Sequence, residues 1–269
     1  MPAISSTAKK KITEQISIVV EDYLQRSNDS PAANSGNPFV IAILKDFEPL
    51  LHRLHGLKGS MGNQMEKIAE IIAIEAWGKD NVERNVRVDI SLPINVFQEI
   101  NSIMNNLSDV KCHPRYQEEK EKILNACLRP SLKKEIHTYE YDLILFDSSK
   151  RNYYCIELKG PDPNTTEVPG AKTRLLTSIA FLYFKYKSKK VDSFIGIYYN
   201  NKFPKPYNNP KILNYFDPAN DMKVHSDFWN FLGKNKNTYN ELLELFETYG
   251  KKNKQRIWDG FSKLVIGKN

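Results

Sequence analysis

Two rhythms of apolar positions run along the chain, and each marks a different element. From Ala8 to Gln25 the residues Ile12, Ile16, Val19, Val20, Tyr23 and Leu24 recur at three and four, the spacing of one helix face. "RSNDSPAANSGNP" (26–38) breaks that pattern with turn-forming residues, and a second helix is expected from Phe39 to His55. "GLKGSMGN" (56–63) reads as a glycine-rich connection; its lysine lacks the spacing and the following Ser or Thr of a phosphate loop. Asn63 then suits an N-cap with Glu66 at the capping-box position, opening a helix from Gln64 to Trp77 that Gly78 ends. "NVRVDI" (85–90) alternates like a strand, and helical spacing returns over 94–106 and 116–127. Two apolar runs, "YDLILF" and "YYCIEL", flank a polar turn and predict a hairpin. A long helix (170–190), a short strand (193–199), a proline loop (200–211) and a helical tail from Ser226 complete the order.

That order predicts an α/β fold: a mixed sheet flanked by helices, with a helical N-terminal part. The expected organisation is a single domain over 1–269, with a mainly helical part (1–80), a sheet core (81–215) and C-terminal helices (216–269). Composition adds little to this. Apolar residues make up 41% and charged residues 26%, enough for a core and ordinary for a globular chain. The formal charge of +7 suits a polyanionic partner without requiring one. Cys112, Cys127 and Cys155 form no CxxC pair, so no zinc or disulfide framework is indicated, and His52, His55 and His113 have no metal-binding spacing. No apolar run has signal-peptide or membrane-spanning length, so a cytoplasmic protein without a membrane partner is expected.

The hairpin carries charge where buried strands avoid it. A four-residue loop, "SSKR", between Asp147 and Asn152 places Asp142 opposite Glu157 and Glu140 opposite Lys159. Facing residues sit ~5 Å apart, so Asp142, Glu157 and Lys159 converge on one patch. Two carboxylates at that distance repel unless a cation lies between them. Oxygen ligands from Asp142 and Glu157, with the backbone carbonyl of Leu158, water and a phosphate, suit Mg²⁺. Such an ion polarises a phosphate and acidifies a bound water, and Lys159 is placed to orient that water or stabilise developing charge. The alternative is a Glu–Lys pair at a sheet edge with Asp142 merely opening a strand. Against it, both strands are strongly apolar, and "GPDPN" opens the charged end into a loop, where sites tend to lie.

At these residues the chain resembles the PD-(D/E)xK nuclease superfamily. Asp142 matches the first acid, Glu157 the second and Lys159 the lysine, while Tyr141 stands where that pattern has Pro. The resemblance implies a restriction-endonuclease-like fold and Mg²⁺-dependent phosphodiester hydrolysis, leaving a 3′-hydroxyl and a 5′-phosphate. It also implies an additional acid on a preceding helix, for which Glu66 is the candidate. "GSMGNQMEKIAEIIA", "IELKGPDPNTTEVPGAKTRLL", "YYNNKFPKPY" and "DFWNFLGKNKNTYNELLELFETYG" further resemble the TdeIII-like group of type II restriction endonucleases. What that implies is duplex DNA carrying GGNCC as substrate. A palindromic site in turn calls for a homodimer with one active centre per strand. The candidate DNA contacts are Lys172 and Arg174 on the helix after the hairpin, and Asn200, Asn201, Lys202 and Lys205 in the proline loop. The rival readings are a repair, junction-resolving or RNA-directed nuclease of the same superfamily, and a non-catalytic DNA-binding protein on the same fold.

Overall fold

The computed structural model describes residues 2–25, 48–109, 112–149 and 151–266. By its contacts the chain divides into two compact units. The first combines residues 1–71 with 237–269, and the second runs from Ile72 to Lys236.

The first unit is helical. Helix α1 (Ser6–Gln25) buries Ala8, Ile12, Ile16 and Val19 on the face that the periodicity marks. Its start is tied to α8 (Thr238–Lys252), because the Glu241 carboxylate accepts from the backbone N–H of Ala3 at 2.6 Å and pairs with Lys9 at 2.9 Å. Helix α9 (Lys254–Ile266) adds an ion pair from Arg256 to Glu21. Helix α2 (Glu48–Trp77) corrects the expected break. "GLKGSMGN" is helical throughout, so Asn63 lies inside the helix and Glu66 does not close a capping box. A glycine costs a helix only about 1 kcal/mol relative to alanine, and no proline stands in the segment to stop it. The stop comes where expected, at Gly78, whose φ of 89° a side chain would strain. The expected helix over Phe39–His55 lies outside the described residues before Glu48.

The second unit is a five-stranded mixed sheet between helices. Its strands are β1 (Val82–Pro93), β2 (Lys134–Asp147), β3 (Asn152–Lys159), β4 (Val191–Ile197) and β5 (Met222–Val224), in the spatial order β1-β2-β3-β4-β5. The first two pairings are antiparallel and the last two parallel. Helices α3 (Ile94–Ser108), α4 (Tyr116–Leu128) and α5 (Glu167–Tyr186) cover one face through a core that includes Ile90, Ile100, Ile123, Ile144, Leu175, Ile179 and Ile195. On the other face Tyr154 meets Trp77 at 5.6 Å and Phe231 of α7 (Ser226–Leu232) at 5.2 Å. The short helix α6 (Pro210–Leu213) closes the proline loop. Strand β5 escaped the sequence reading because three residues are too few to show alternation.

Gly196 in β4 lets α7 approach the sheet. A Cβ there would lie 2.6 Å from the Phe228 ring and 3.2 Å from Leu158. Phe228 is fully buried, so the ring has nowhere to move. Gly196→Ala is therefore expected to destabilise the protein by about 1–3 kcal/mol, the usual cost of overpacking. A thermal melt checks this; an unchanged midpoint would show that α7 has slack.

Candidate active site

The hairpin forms as its turn chemistry directs. The Asp147 carboxylate accepts from the Ser149 backbone N–H at 3.1 Å and its hydroxyl at 2.6 Å, and Arg151 takes a left-handed φ of 51°. The register is the expected one from Asp147↔Asn152 to Leu143↔Ile156. There the backbone ladder between β2 and β3 ends, while β2 continues along β1 to Lys134 and β3 along β4 to Lys159. Asp142 and Glu157 thus stand where the two strands part.

The parting has a local cause on β2. Asn85 of β1, which the register sets against Asp142, forms no ladder pair and has a left-handed φ of 52°. Beyond it the inward faces exchange: Ile144 belongs to the helix-covered core on one side of Asp142, and Tyr141 on the other. Period-two alternation cannot place both on one face without a kink between them. The kink turns Asp142 toward β3, where its carboxylate accepts from the Leu158 backbone N–H at 2.7 Å. The N–H and C=O of a strand residue leave on the same edge, so the Leu158 carbonyl also faces the opening.

Glu157 is 2% exposed, and both its oxygens are engaged. Lys159 Nζ lies 2.9 Å from Oε1, Arg174 Nε donates to Oε2 at 3.1 Å, and Arg174 Nη2 donates to Oε1. Burial alone would raise the carboxyl's pKa, but the hydrogen bond from Arg174 and the charge of Lys159 outweigh it and hold it below the usual carboxylate range. A carboxyl lowered on folding stabilises the fold above its unfolded pKa, and the contribution is lost as pH falls through the folded value. The difference in melting temperature between the wild type and Glu157→Gln is therefore expected at neutral pH and should narrow in acid, below the ordinary carboxylate range. A difference that stays constant down to the acid limit would refute this pairing.

An open groove of about 570 Å³ exposes these groups, lined by Thr138, Glu140, Asp142, Glu157, Lys159 and Arg174 among others. Tyr141, next to Asp142 in the chain, is buried with no hydrogen-bond partner for its hydroxyl. That hydroxyl interacts electrostatically with Arg174 and Glu157. Among the described residues no three His, Cys, Asp or Glu side chains gather into a metal cage. The donors present are two carboxylates and one carbonyl, all hard oxygens, and they fit a cation that completes its shell with water and phosphate.

The other candidate residues are placed as follows. Lys172 is a correction: it is fully buried, 2.6 Å from Asp221 and 2.7 Å from Glu119, and so cannot reach DNA. It sits on the core side of α5 (Ala171, Leu175 and Leu176 are its buried neighbours in sequence), whereas Arg174 turns to the groove. Arg174 reaches Glu157, a pairing that sequence reasoning missed. Its signal was the stripe Gly170, Thr173, Arg174 and Thr177, small or polar residues at helical spacing. Asn200 is half-buried and shapes the proline loop, donating to Lys205 O at 2.7 Å and accepting from the Lys202 N–H at 2.9 Å. Asn201, Lys202 and Lys205 are exposed. Their loop leaves the same edge of the sheet as Lys159, because β3 and β4 run parallel with Lys159 beside Ile197. It is laced to the loop after β3 through Tyr207 and Asn209, both donating to Pro161 O. Glu66 lies half-buried on α2 in the first unit, and its assignment to a metal shell rests on the resemblance alone.

A mixed five-stranded sheet flanked by helices, with paired acids and a lysine at the open end of its central hairpin, has the restriction-endonuclease-like architecture. The chain belongs to the HinfI family of type II restriction endonucleases, which it matches over residues 4–250. It is also similar to the type II restriction enzyme MjaII of Methanocaldococcus jannaschii, at 24% identity over 273 residues, covering 90% of this chain and 71% of that enzyme. The protein is accordingly a site-specific deoxyribonuclease and its partner is DNA. No described helix is long and apolar enough to cross a membrane.

Proposed function

We propose that the protein is a Mg²⁺-dependent endonuclease of the PD-(D/E)xK type that cuts duplex DNA at a short palindrome, GGNCC. The observation that carries the chemistry is the convergence of Asp142, Glu157 and Lys159 at the point where β2 and β3 part. Asp142, Glu157 and the Leu158 carbonyl would hold the metal, which when bound supplies a polarised phosphate and an acidified water. Asp142 is held in place by the Leu158 N–H, and Glu157 is kept ionised by its two cationic neighbours. Lys159, partly exposed to the groove, orients the attacking water and stabilises charge developing on the phosphate. Asn201, Lys202 and Lys205 contact the DNA from the loop beside the site, with Asn200 setting that loop's shape.

Support for GGNCC is the resemblance of four sequence blocks to the TdeIII-like group. A homodimer follows from matching a two-fold site with two-fold protein symmetry, and the cytoplasm from the substrate. The test incubates the protein with plasmid DNA in Mg²⁺ or in EDTA and maps the ends produced. Discrete fragments that need Mg²⁺ and end within GGNCC support the reading. Fragments at another sequence would overturn the specificity alone; metal-independent cleavage would overturn the chemistry.

A further inference from the structure

We infer that Arg174 is the site's built-in counter-cation: it grips Glu157 in the metal-free protein and must release that carboxylate before a metal ion can bind. The inference rests on the reading of Asp142 and Glu157 as the metal-holding pair. Three observations carry it. Both oxygens of Glu157 accept from Arg174 in a two-pronged contact, and Lys159 shares one of them, so a metal ion bound to this carboxylate would stand directly against the guanidinium unless Arg174 withdraws. Three carboxylates line the groove (Glu140, Asp142 and Glu157), and Lys159 and Arg174 offset two of them, so with Arg174 in place the groove attracts a divalent cation less than it would without that guanidinium. The guanidinium is also free to leave. Arg174 lines an open groove and its side chain is 30% exposed, against 2% for Glu157, so the arginine can swing outward while the carboxylate stays.

Arginine suits this role better than lysine would. Its planar fork matches a carboxylate with two parallel hydrogen bonds, and it remains charged at any working pH. Glu157 thus exchanges one cation for another without ever standing bare in a buried position, which would be costly. Arg174 is a positioning residue in this sense: it acts through Glu157 and sets how readily the site loads.

The test is calorimetric titration of the full-length protein with magnesium chloride in the absence of DNA, so that no turnover enters. Arg174→Gln is expected to bind Mg²⁺ more tightly than the wild type, by about 5- to 150-fold, the usual range of a coupling between two binding events. Arg174→Lys keeps the charge and loses the fork, so it should bind more tightly than the wild type by a smaller factor. An affinity no tighter than wild type in the Gln variant would overturn the inference. Should that variant not fold, the Lys variant decides by the same criterion. Asp142→Asn separates this from the site reading. If it abolishes Mg²⁺ binding while the Arg174 variants match the wild type, only the counter-cation role fails. If Mg²⁺ binding survives Asp142→Asn unchanged, the metal site itself is misassigned.

Discussion

Lys159→Ala should leave DNA binding intact and remove nearly all cleavage, a loss on the order of 10²–10⁴-fold in rate, the range for removing one positioned proton-transfer or charge-stabilising group. The lysine touches only Glu157 among the site groups, at 2.9 Å, and Arg174 also holds that carboxylate, so the fold keeps its buried acid paired after the substitution. DNA affinity, built from many phosphate contacts, loses at most one of them. Lys159→Arg keeps the charge but replaces a compact ammonium with a planar fork that cannot occupy the same point, so it should recover little activity. The check is a single-turnover cleavage assay beside a gel-shift titration. Cleavage within tenfold of wild type would remove Lys159 from the chemistry; parallel loss of binding and cleavage would make it a DNA contact instead.

Lys172→Met is expected to cost about 3–5 kcal/mol of stability, the usual result of removing one partner from a buried ion pair. Its ammonium lies between Asp221 and Glu119, all three side chains almost wholly inaccessible, and the substitution leaves two carboxylates facing each other in the core. The midpoint of thermal unfolding should fall by roughly 6–20 °C. Burial raises the Asp221 carboxyl to about 6 even though the charge of Lys172 pulls it down. A carboxyl raised on folding loses stabilisation as pH rises through its folded value, and without Lys172 it is raised further. The deficit should therefore be larger at pH 8 than at pH 5. Adding Asp221→Asn to Lys172→Met should recover part of the loss, because it removes one of the two stranded charges. Equal melting temperatures for the wild type and Lys172→Met would mean that the triad contributes nothing net.

These two lysines show which surroundings of a residue the sequence discloses and which it hides. The place of Lys159 beside Glu157 was legible because both stand at the end of one apolar strand, on one face of it, after a turn, "SSKR", whose length sets the hairpin. Lys172, two residues before Arg174, looked equally available for DNA. On a helix two residues is about half a turn, so one of the pair faces the core and the other the groove. The sequence cannot show that buried acids await the inward one, because Glu119 and Asp221 are far away along the chain. The glycine-rich stretch 56–63 misleads for the converse reason: locally it reads as a turn, yet the helix runs through it from Glu48 to Trp77.

What the linear order settled is what short-range physics decides. The alternation of residues set the strands, the three-and-four spacing set most of the helices, and the turn length set the hairpin register as far as Leu143↔Ile156, one pair short of Asp142 and Glu157. What required the tertiary structure is everything that depends on partners far apart in the chain. The kink at Asn85 and Asp142 opens the hairpin, the Leu158 N–H reaches Asp142 across the gap, and the crossover helix brings Arg174 onto Glu157. Each of these joins residues on different elements, and an ion pair or a parted ladder leaves no periodic trace in either one.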